Sequence, residues 1–428
     1  MNLYRDLLVR HPAIPWRIRS RLERWVETRG RLRYASLYRW LHFGRTADVV
    51  HPITRGPHHH FFGYYDKTPW NASRTFILAH EATFNDRPPR VDDRVAVGFV
   101  RPDGSGEFEG LADTCAWNWQ QGTMLQWHPR DPEHLFLHND RRDGCFVAVV
   151  RDLSGAEQEV IRRPIYAILP DGRTAFSLNF SRLARYRPGY GYEGGVDLFA
   201  EDPAPDGDGI WRVDLDSDRD ELIVSTAQLA SHDPAPSMAG AFHYVNHIQA
   251  SRGGERIAFF HIWCTTPREW QVRLYTCRPD GSALSCLLDS GTISHYDWLG
   301  DEAILVWALP PEGGRAAFLR ISLDGEVVPF AASSVKVDGH CSFSPDRRWV
   351  LNDTYPDAFG MRTLMVLSWP EGRRVDLARL YSPKERWWGE IRCDLHPRWS
   401  RDGRSICLDS VHDGTRQIYA IDLAEVGL

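Results

Sequence analysis

Gly339-His340-Cys341-Ser342-Phe343-Ser344-Pro345-Asp346-Arg347-Arg348-Trp349-Val350-Leu351 reads as a short strand, a Ser-Pro-Asp turn and a second strand. Ser344 and Asp346 can bond nearby backbone and Pro345 presets φ. Trp349, Val350 and Leu351 suit a pleated surface. The same grammar returns at Leu395-His396-Pro397-Arg398-Trp399-Ser400-Arg401-Asp402-Gly403 and at His247-Ile248-Gln249-Ala250-Ser251-Arg252-Gly253-Gly254. Weaker copies begin at His295, Ile165, Met124 and Tyr64. Most turns lie roughly 40 to 60 residues apart, the period at which a propeller blade repeats. One gap, from Gly172 to Gly254, is longer. A blade is a small sheet that cannot bury both faces alone, so neighbours stack around a central channel. The alternative is a β-sandwich with coincidental turns. The copies run from Tyr64 to Gly403 with few helical interruptions, and this favours an all-β, seven-bladed β-propeller over residues 47–428. The last strand, about Gln417 to Leu423, is expected to pair with the segment before the first blade and close the ring.

Residues 1–46 differ. They hold eleven Arg against three acids, interleaved with apolar residues. Ile18, Leu22, Trp25 and Val26 fall at helical spacing, as do Leu37, Trp40 and Leu41. This predicts a short basic, amphipathic, helical extension. It caps the propeller rim, or it lies on an anionic membrane surface.

The chain of 428 residues carries a net charge of −6, so nucleic acid is not the expected partner. Its 17 Trp suit blade cores and sugar-facing surfaces equally. Eight Cys without CxxC pairs point to free thiols and a reducing compartment. No apolar run approaches the ~18 residues of a membrane span, and the N-terminus lacks a signal-peptide core. A cytoplasmic location follows as the expectation, with peripheral contact at the inner membrane face through residues 1–46. His58-His59-His60 shows no partner spacing and reads as a loop.

Two constellations carry candidate chemistry. Aligned on their turns, the seven copies place Tyr64, Met124, Ile165, His247, His295, His340 and His396 at one level of the innermost strands. Four consecutive blades then offer histidine towards the channel. Converging imidazoles suit a divalent metal, Zn or Mn, with Cys341, Cys393 and Asp394 close enough in sequence to join. The competing reading has each histidine bonding backbone at its own turn. The second constellation is Tyr166 with Arg182, and Arg187 and Tyr190 nearby. A tyrosine whose pKa is lowered by cations can transfer a proton, and an arginine can clamp a carboxylate. β-Elimination on a uronic acid needs both. The competing reading is a core tyrosine and a surface arginine.

The stretch Tyr166, Ser177-Leu178-Asn179-Phe180-Ser181-Arg182-Leu183 and Arg187-Pro188-Gly189-Tyr190-Gly191-Tyr192 resembles seven-bladed propeller polysaccharide lyases that act on ulvan. The copies around His247 and His340, and Arg392-Cys393-Asp394-Leu395-His396-Pro397-Arg398-Trp399, are similar to that wider group and to oligogalacturonate lyases. The resemblance covers roughly residues 60–425. It implies Tyr166 as the proton-transfer residue, Arg182 as the carboxylate clamp and His138 as the assisting histidine. Gln121, Asn139, Arg141, Arg187 and Tyr190 become candidate substrate contacts, and a metal held by His and Cys is implied in some members. The expected function is β-elimination on a uronic-acid-containing anionic oligosaccharide or polysaccharide. Gln120 and Gln121 stand where the resemblance would call for histidine in a lyase. They motivate the alternative, a non-catalytic carbohydrate-binding or scaffold propeller of a cell-surface polysaccharide pathway. A hydrolase reading ranks last, because no Gly-x-Ser-x-Gly turn is present.

Overall fold

In the computed structural model, residues 49–428 are described, apart from 267, 268 and 385. The expected extension over residues 1–46 lies outside them. The turn motif folds as its residues dictate. Ser344 Oγ accepts the Trp349 N–H at 3.0 Å and donates to Asp346 Oδ1 at 2.6 Å; that oxygen also takes the Arg348 N–H at 3.1 Å. Ser400 and Asp402 repeat the arrangement, with Ser405 N–H on Ser400 Oγ at 2.9 Å and Arg404 N–H on Asp402 Oδ1 at 3.2 Å. The side chains take over backbone donors that a tight turn strands.

These turns join strands into seven four-stranded antiparallel sheets arranged as a seven-bladed β-propeller. The sixth blade shows the pattern. Ser342–Phe343 lies innermost, followed outward by Trp349–Asn352, Met361–Ser368 and Arg374–Tyr381. The last blade takes Arg398–Trp399, Ser405–Ser410 and Gln417–Asp422 from the C-terminal end, and its outermost strand is His51–Pro52. His51 pairs with Ala420 and Pro52 with Tyr419, so the ring closes as the sequence predicts. A buried ion pair reinforces the seam. Arg398 bonds both oxygens of Asp409, at 3.1 and 2.9 Å, and the Gly63 and Tyr64 carbonyls of the first blade, at 2.6 and 3.0 Å.

Blades pack face to face through alternate strand residues. Leu305, Trp307 and Phe318 of the fifth blade meet Phe343, Val350 and Met365 of the sixth. Each such side chain contributes about 1.5–3 kcal/mol on burial. Tryptophans also stitch blades through their N–H groups. Trp127 donates to Pro69 O at 2.7 Å, Trp298 to Gln249 O at 3.2 Å and Trp399 to Ser342 O at 3.2 Å.

The long gap in the repeat has a local cause. In the third blade the strands Thr174–Ser177 and Gly209–Asp214 are separated by an insertion that starts with helix α1, Phe180–Tyr186. Asn179 caps it by accepting the Arg182 N–H. A second short helix, α2 over Thr226–Ser231, follows the outermost strand. The insertion reads as loop from its Arg, Tyr and Gly content, and the Asn cap was the overlooked helix signal. The histidine run is not all loop either. His59–Phe61 is the inner strand of the first blade, and His60 is buried against Gln417 and Glu81. The eight cysteines form no disulfide.

Candidate metal centre

Of the seven aligned residues, Tyr64 and the four histidines gather in one cluster, whereas Ile165 packs in the core between the second and third blades with Leu137, Ala148 and Ala175. Backbone irregularity marks the histidine positions. The strand Phe242–Ala250 slips register between Asn246 and Gln249, where His247 sits. The strand Ile293–Leu299 slips between Ile293 and Tyr296, where His295 sits. An extra residue in a strand re-aims its side chain. His247 and His396 also hold positive φ values of 56° and 40°, a strained backbone that the surrounding contacts must maintain.

The four imidazoles gather around Tyr64 and Tyr65. Ring centroids lie 4.0 Å apart for His295 and His340, 4.4 Å for His340 and His396, and 5.0 Å for Tyr64 with both His247 and His396. Within this cluster the structure separates two roles. His340 and His396 converge with Asp394, their ligand atoms lying within 4.8 Å of one another. Asp394 and His396 lie two apart in the segment that leads into the strand Arg398–Trp399. The other two histidines stand outside this triad. His247 lies across the Tyr64 ring, its Nε2 3.5 Å from the Tyr64 hydroxyl. His295 pairs through Nδ1 with Asp338 at 3.1 Å.

Hydrogen bonds fix the tautomers of the triad. His340 Nδ1–H donates to Asp353 Oδ1 at 2.8 Å, and the same oxygen takes the His340 backbone N–H at 2.8 Å. His396 Nδ1–H donates to Gly63 O at 2.7 Å. Both Nε2 atoms are therefore lone-pair bearing, and both are buried without a hydrogen-bond partner, as is Asp394 Oδ1. Burial drives the His340 and His396 pKa values down and keeps the rings neutral. Burial opposes ionisation of Asp394, but Arg392 and Arg362 overcome it and hold its carboxyl well below the usual range. Arg392 Nε donates to Asp394 Oδ2 at 2.7 Å. Arg362 Nη2 lies 2.7 Å from Oδ1 without the alignment of a hydrogen bond.

Buried polar atoms are normally paired. Here His340 Nε2 and His396 Nε2 are orphaned together beside Asp394, whose Oδ1 has only the Arg362 ion pair, and Asp353 Oδ2 and both side-chain atoms of Asn352 are orphaned in the sixth blade. Two neutral imidazoles and one carboxylate form a donor set suited to Zn²⁺ or Mn²⁺. The Asp353–His340 pair is the outer-shell carboxylate that commonly orients a metal-binding histidine. The cysteines do not join. Cys341 packs with Leu305, Phe343 and Val350, and Cys393 with Trp387 and Val411. Burial raises both thiols, Cys393 to about 11.

The third-blade constellation comes out differently. The Tyr166 hydroxyl accepts from Gln121 Nε2 at 2.6 Å and donates to Asn246 Oδ1 at 3.1 Å, beside the His247 N–H at 3.2 Å. Burial, with Asp66 and Tyr296 nearby, pushes its pKa well up, opposite to the lowering expected from sequence. Arg182 is buried and cannot clamp a substrate. Its guanidinium donates to the carbonyls of His243, Phe199, Asp202 and Pro203, at 2.6 to 3.1 Å. His138 is fully buried, bonded to Asn139 O and to Arg151 Nε, and burial lowers its pKa to about 4. Asn139 fastens Ile165 through its backbone N–H and carbonyl. Gln120 donates to the carbonyls of Glu390 and Arg392, and so braces the Arg392 segment. Arg141 is held by Asp92 and Glu193 O.

Arg187 and Tyr190 do reach the cluster. Tyr190 packs edge-on to His247 at 5.8 Å and its hydroxyl accepts from Arg392 Nη2 at 2.9 Å. The Arg187 guanidinium lies between the Tyr190 and Trp270 rings, at 5.2 and 5.0 Å, and makes no hydrogen bond among the described residues. Sequence reasoning missed Asp353, Arg362 and Asp338. Asp394 was legible from the Asp-x-His spacing; the other three come from neighbouring strands and loops whose register only the fold supplies.

No protein-family model matches the chain, and no curated protein matches its sequence. Solved structures do match in shape. Oligogalacturonate lyase from Vibrio parahaemolyticus superposes with a TM-score of 0.60 at 13% identity, over 88% of this chain and 94% of that one. An oligogalacturonate lyase in complex with manganese superposes with a TM-score of 0.62 at 14% identity, over 87% and 92% of the two chains. At such identities the likeness establishes the seven-bladed propeller fold.

Proposed function

We propose that the chain is a divalent-metal-assisted lyase that eliminates across a uronic acid of an anionic oligosaccharide. The observation that carries this reading is the convergence of the unpartnered His340 and His396 Nε2 atoms with the buried Asp394 carboxylate. The fold shared with an oligogalacturonate lyase that binds manganese supports it. Manganese or zinc held there would polarise the substrate carboxylate and acidify the adjacent C–H. The protein's own groups do the rest. Arg187 presents an uncommitted guanidinium to the carboxylate, taking the role that Arg182 cannot fill. Arg392 adds positive charge beside it. His295 is the base: Asp338 holds its Nδ1–H, which leaves Nε2 to accept the C5 proton. The C4=C5 double bond forms, the C4–O4 bond breaks, and O4 takes a proton from water.

A second reading is favoured by burial. His340 and His396 are only 1% and 2% exposed, which also suits a metal that pins the channel of a carbohydrate-binding propeller. One experiment separates the two. Protein stripped with chelator and reloaded with Mn²⁺ or Zn²⁺ is mixed with oligogalacturonides and other uronate oligomers, and the ultraviolet absorbance of the unsaturated product is followed. A metal-dependent rise that His295→Ala abolishes and Tyr166→Phe leaves within a few-fold supports the lyase. A flat trace from protein that binds one metal per chain supports the pinned binder instead.

A further inference from the structure

The loop that leads to Asp394 carries two adjacent tryptophans in opposite environments. Trp387 is buried against Cys393 and Val411, and its backbone N–H bonds Pro383 O at 3.0 Å. Trp388 follows in extended backbone, φ −139° and ψ 167°, where consecutive side chains leave on opposite sides. It is 69% exposed, the one exposed tryptophan among the described residues. Tryptophan is highly buried on average, so a ring turned to water next to a buried twin calls for an explanation.

The loop that presents it is firmly held. Arg416 Nη2 donates to the carbonyls of Ile391 and Arg392 at 2.8 and 2.9 Å, and Gln120 Nε2 donates to those of Glu390 and Arg392 at 2.9 and 3.0 Å. A short chain of contacts joins this loop to the histidine cluster. Arg392 Nη1 donates at 3.1 Å to the carbonyl of Gly389, the residue after Trp388, and Arg392 Nη2 donates to the Tyr190 hydroxyl at 2.9 Å. The Tyr190 ring meets the Arg187 guanidinium at 5.2 Å and His247 at 5.8 Å, and Arg187 lies 5.0 Å from the half-buried Trp270 ring. Aromatic and cationic side chains therefore alternate from Trp270 through Arg187, Tyr190 and Arg392 to the Trp388 loop.

A single uronate needs only one carboxylate partner and the reacting groups, and Arg187 with the histidine cluster supplies them. The alternation continues past that point. A pyranose ring has a face of C–H groups that can rest on an indole, and an oligouronate repeats ring and carboxylate along its length. We propose that Trp388 is the platform of a second sugar subsite, so that the site takes uronate oligomers in preference to a monomer. This rests on the anionic-glycan reading of the site and not on elimination itself. Arg187 holds the carboxylate of one unit, and Trp388 carries the ring of a neighbouring one.

The test is calorimetric titration of the full chain in chelator, which halts metal-dependent turnover. The probes are mono-, di- and tetragalacturonate and the matching glucuronate series. In at least one series the affinity is expected to rise about tenfold or more from monomer to tetramer. Trp388→Ala is expected to remove about tenfold of that gain, and Trp388→Tyr to keep most of it. The fully methyl-esterified tetramer is expected to bind about tenfold more weakly than the acid. Thermal melts identify any variant that fails to fold. The proposal is overturned if no oligomer binds, if monomer and tetramer bind equally, or if the ester binds as well as the acid. It is equally overturned if Trp388→Ala keeps the full length dependence, including the case where it only lowers the melting temperature and so marks a packing residue. The absorbance assay on metal-loaded protein is read separately. Elimination without length dependence defeats the subsite alone, and length-dependent binding without elimination defeats the lyase alone.

Discussion

The third blade and the last two blades both present clusters of chemically capable residues at the channel, and they differ in what those residues have left to offer. In the third blade the tyrosine–arginine pair is committed. Arg182 serves four carbonyls, Tyr166 joins Gln121 to Asn246, and Asn179 caps a helix. In the sixth and seventh blades, two imidazole nitrogens without partners lie within 4.8 Å of each other and of a buried carboxylate oxygen. Residue type alone does not mark a site. The mark is unsatisfied bonding capacity held in place by satisfied neighbours.

The largest effect that would break this contrast lies in the last two blades. Replacing both His340 and His396 with alanine should lower Mn²⁺ or Zn²⁺ affinity by about a thousandfold or more, because two of three protein ligands are gone. Equilibrium dialysis with metal analysis reads it, and near-normal affinity would show that the triad is not a metal centre. Next is Arg182→Met, which strands several carbonyls. Unfolding free energy should fall by about 3 kcal/mol in denaturant titration while metal affinity stays constant. Loss of substrate binding without loss of stability would restore Arg182 to the site. Asp353→Asn keeps the shape but weakens the acceptor for His340 Nδ1–H. Metal affinity should drop about 10–100-fold with little change in stability.

The smallest and most gradual effect is set by pH. His80, His138 and His243 are buried neutral, their pKa values lowered from 6.5 to about 3, 4 and 4, chiefly by burial. The unfolded chain then binds more protons than the folded one between about pH 6.5 and 4. The stability of neutral burial is complete above about 6.5 and is lost as pH falls through that window. Melting temperature measured from pH 8 to 4 should decline there. The slope should be shallower in His138→Gln, and an identical slope would mean that His138 titrates normally in the fold.

Much of the fold was legible because the turn code is local. Ser344, Pro345 and Asp346 satisfy their own backbone, and repetition at blade period implies stacking. The histidine level was legible for the same reason: counting back from the turns of the last four blades lands on the cluster. The division of labour among those histidines was not. It depends on two register slips, on Asp353 and Arg362 arriving from neighbouring strands, and on which nitrogen each carbonyl or carboxylate captures. The Tyr-Arg pair misled because a one-dimensional pattern shows charge and aromaticity but not the four carbonyls waiting for Arg182.

The strand His51–Pro52 has a consequence for how the molecule is made. Its partners are Ala420 and Tyr419, so the ring is a loop that spans almost the whole described chain. The entropic cost of closing such a loop grows only with the logarithm of its length, about 0.6 kcal/mol per doubling, so the seam is thermodynamically affordable. Kinetically it is a contact of very long range, and such contacts form late. During synthesis the first blade must wait, with the Gly63 and Tyr64 carbonyls unfilled, until Arg398 emerges to bond them. Because His396 anchors to that same Gly63 carbonyl, the triad of His340, His396 and Asp394 cannot take shape before the circle is closed.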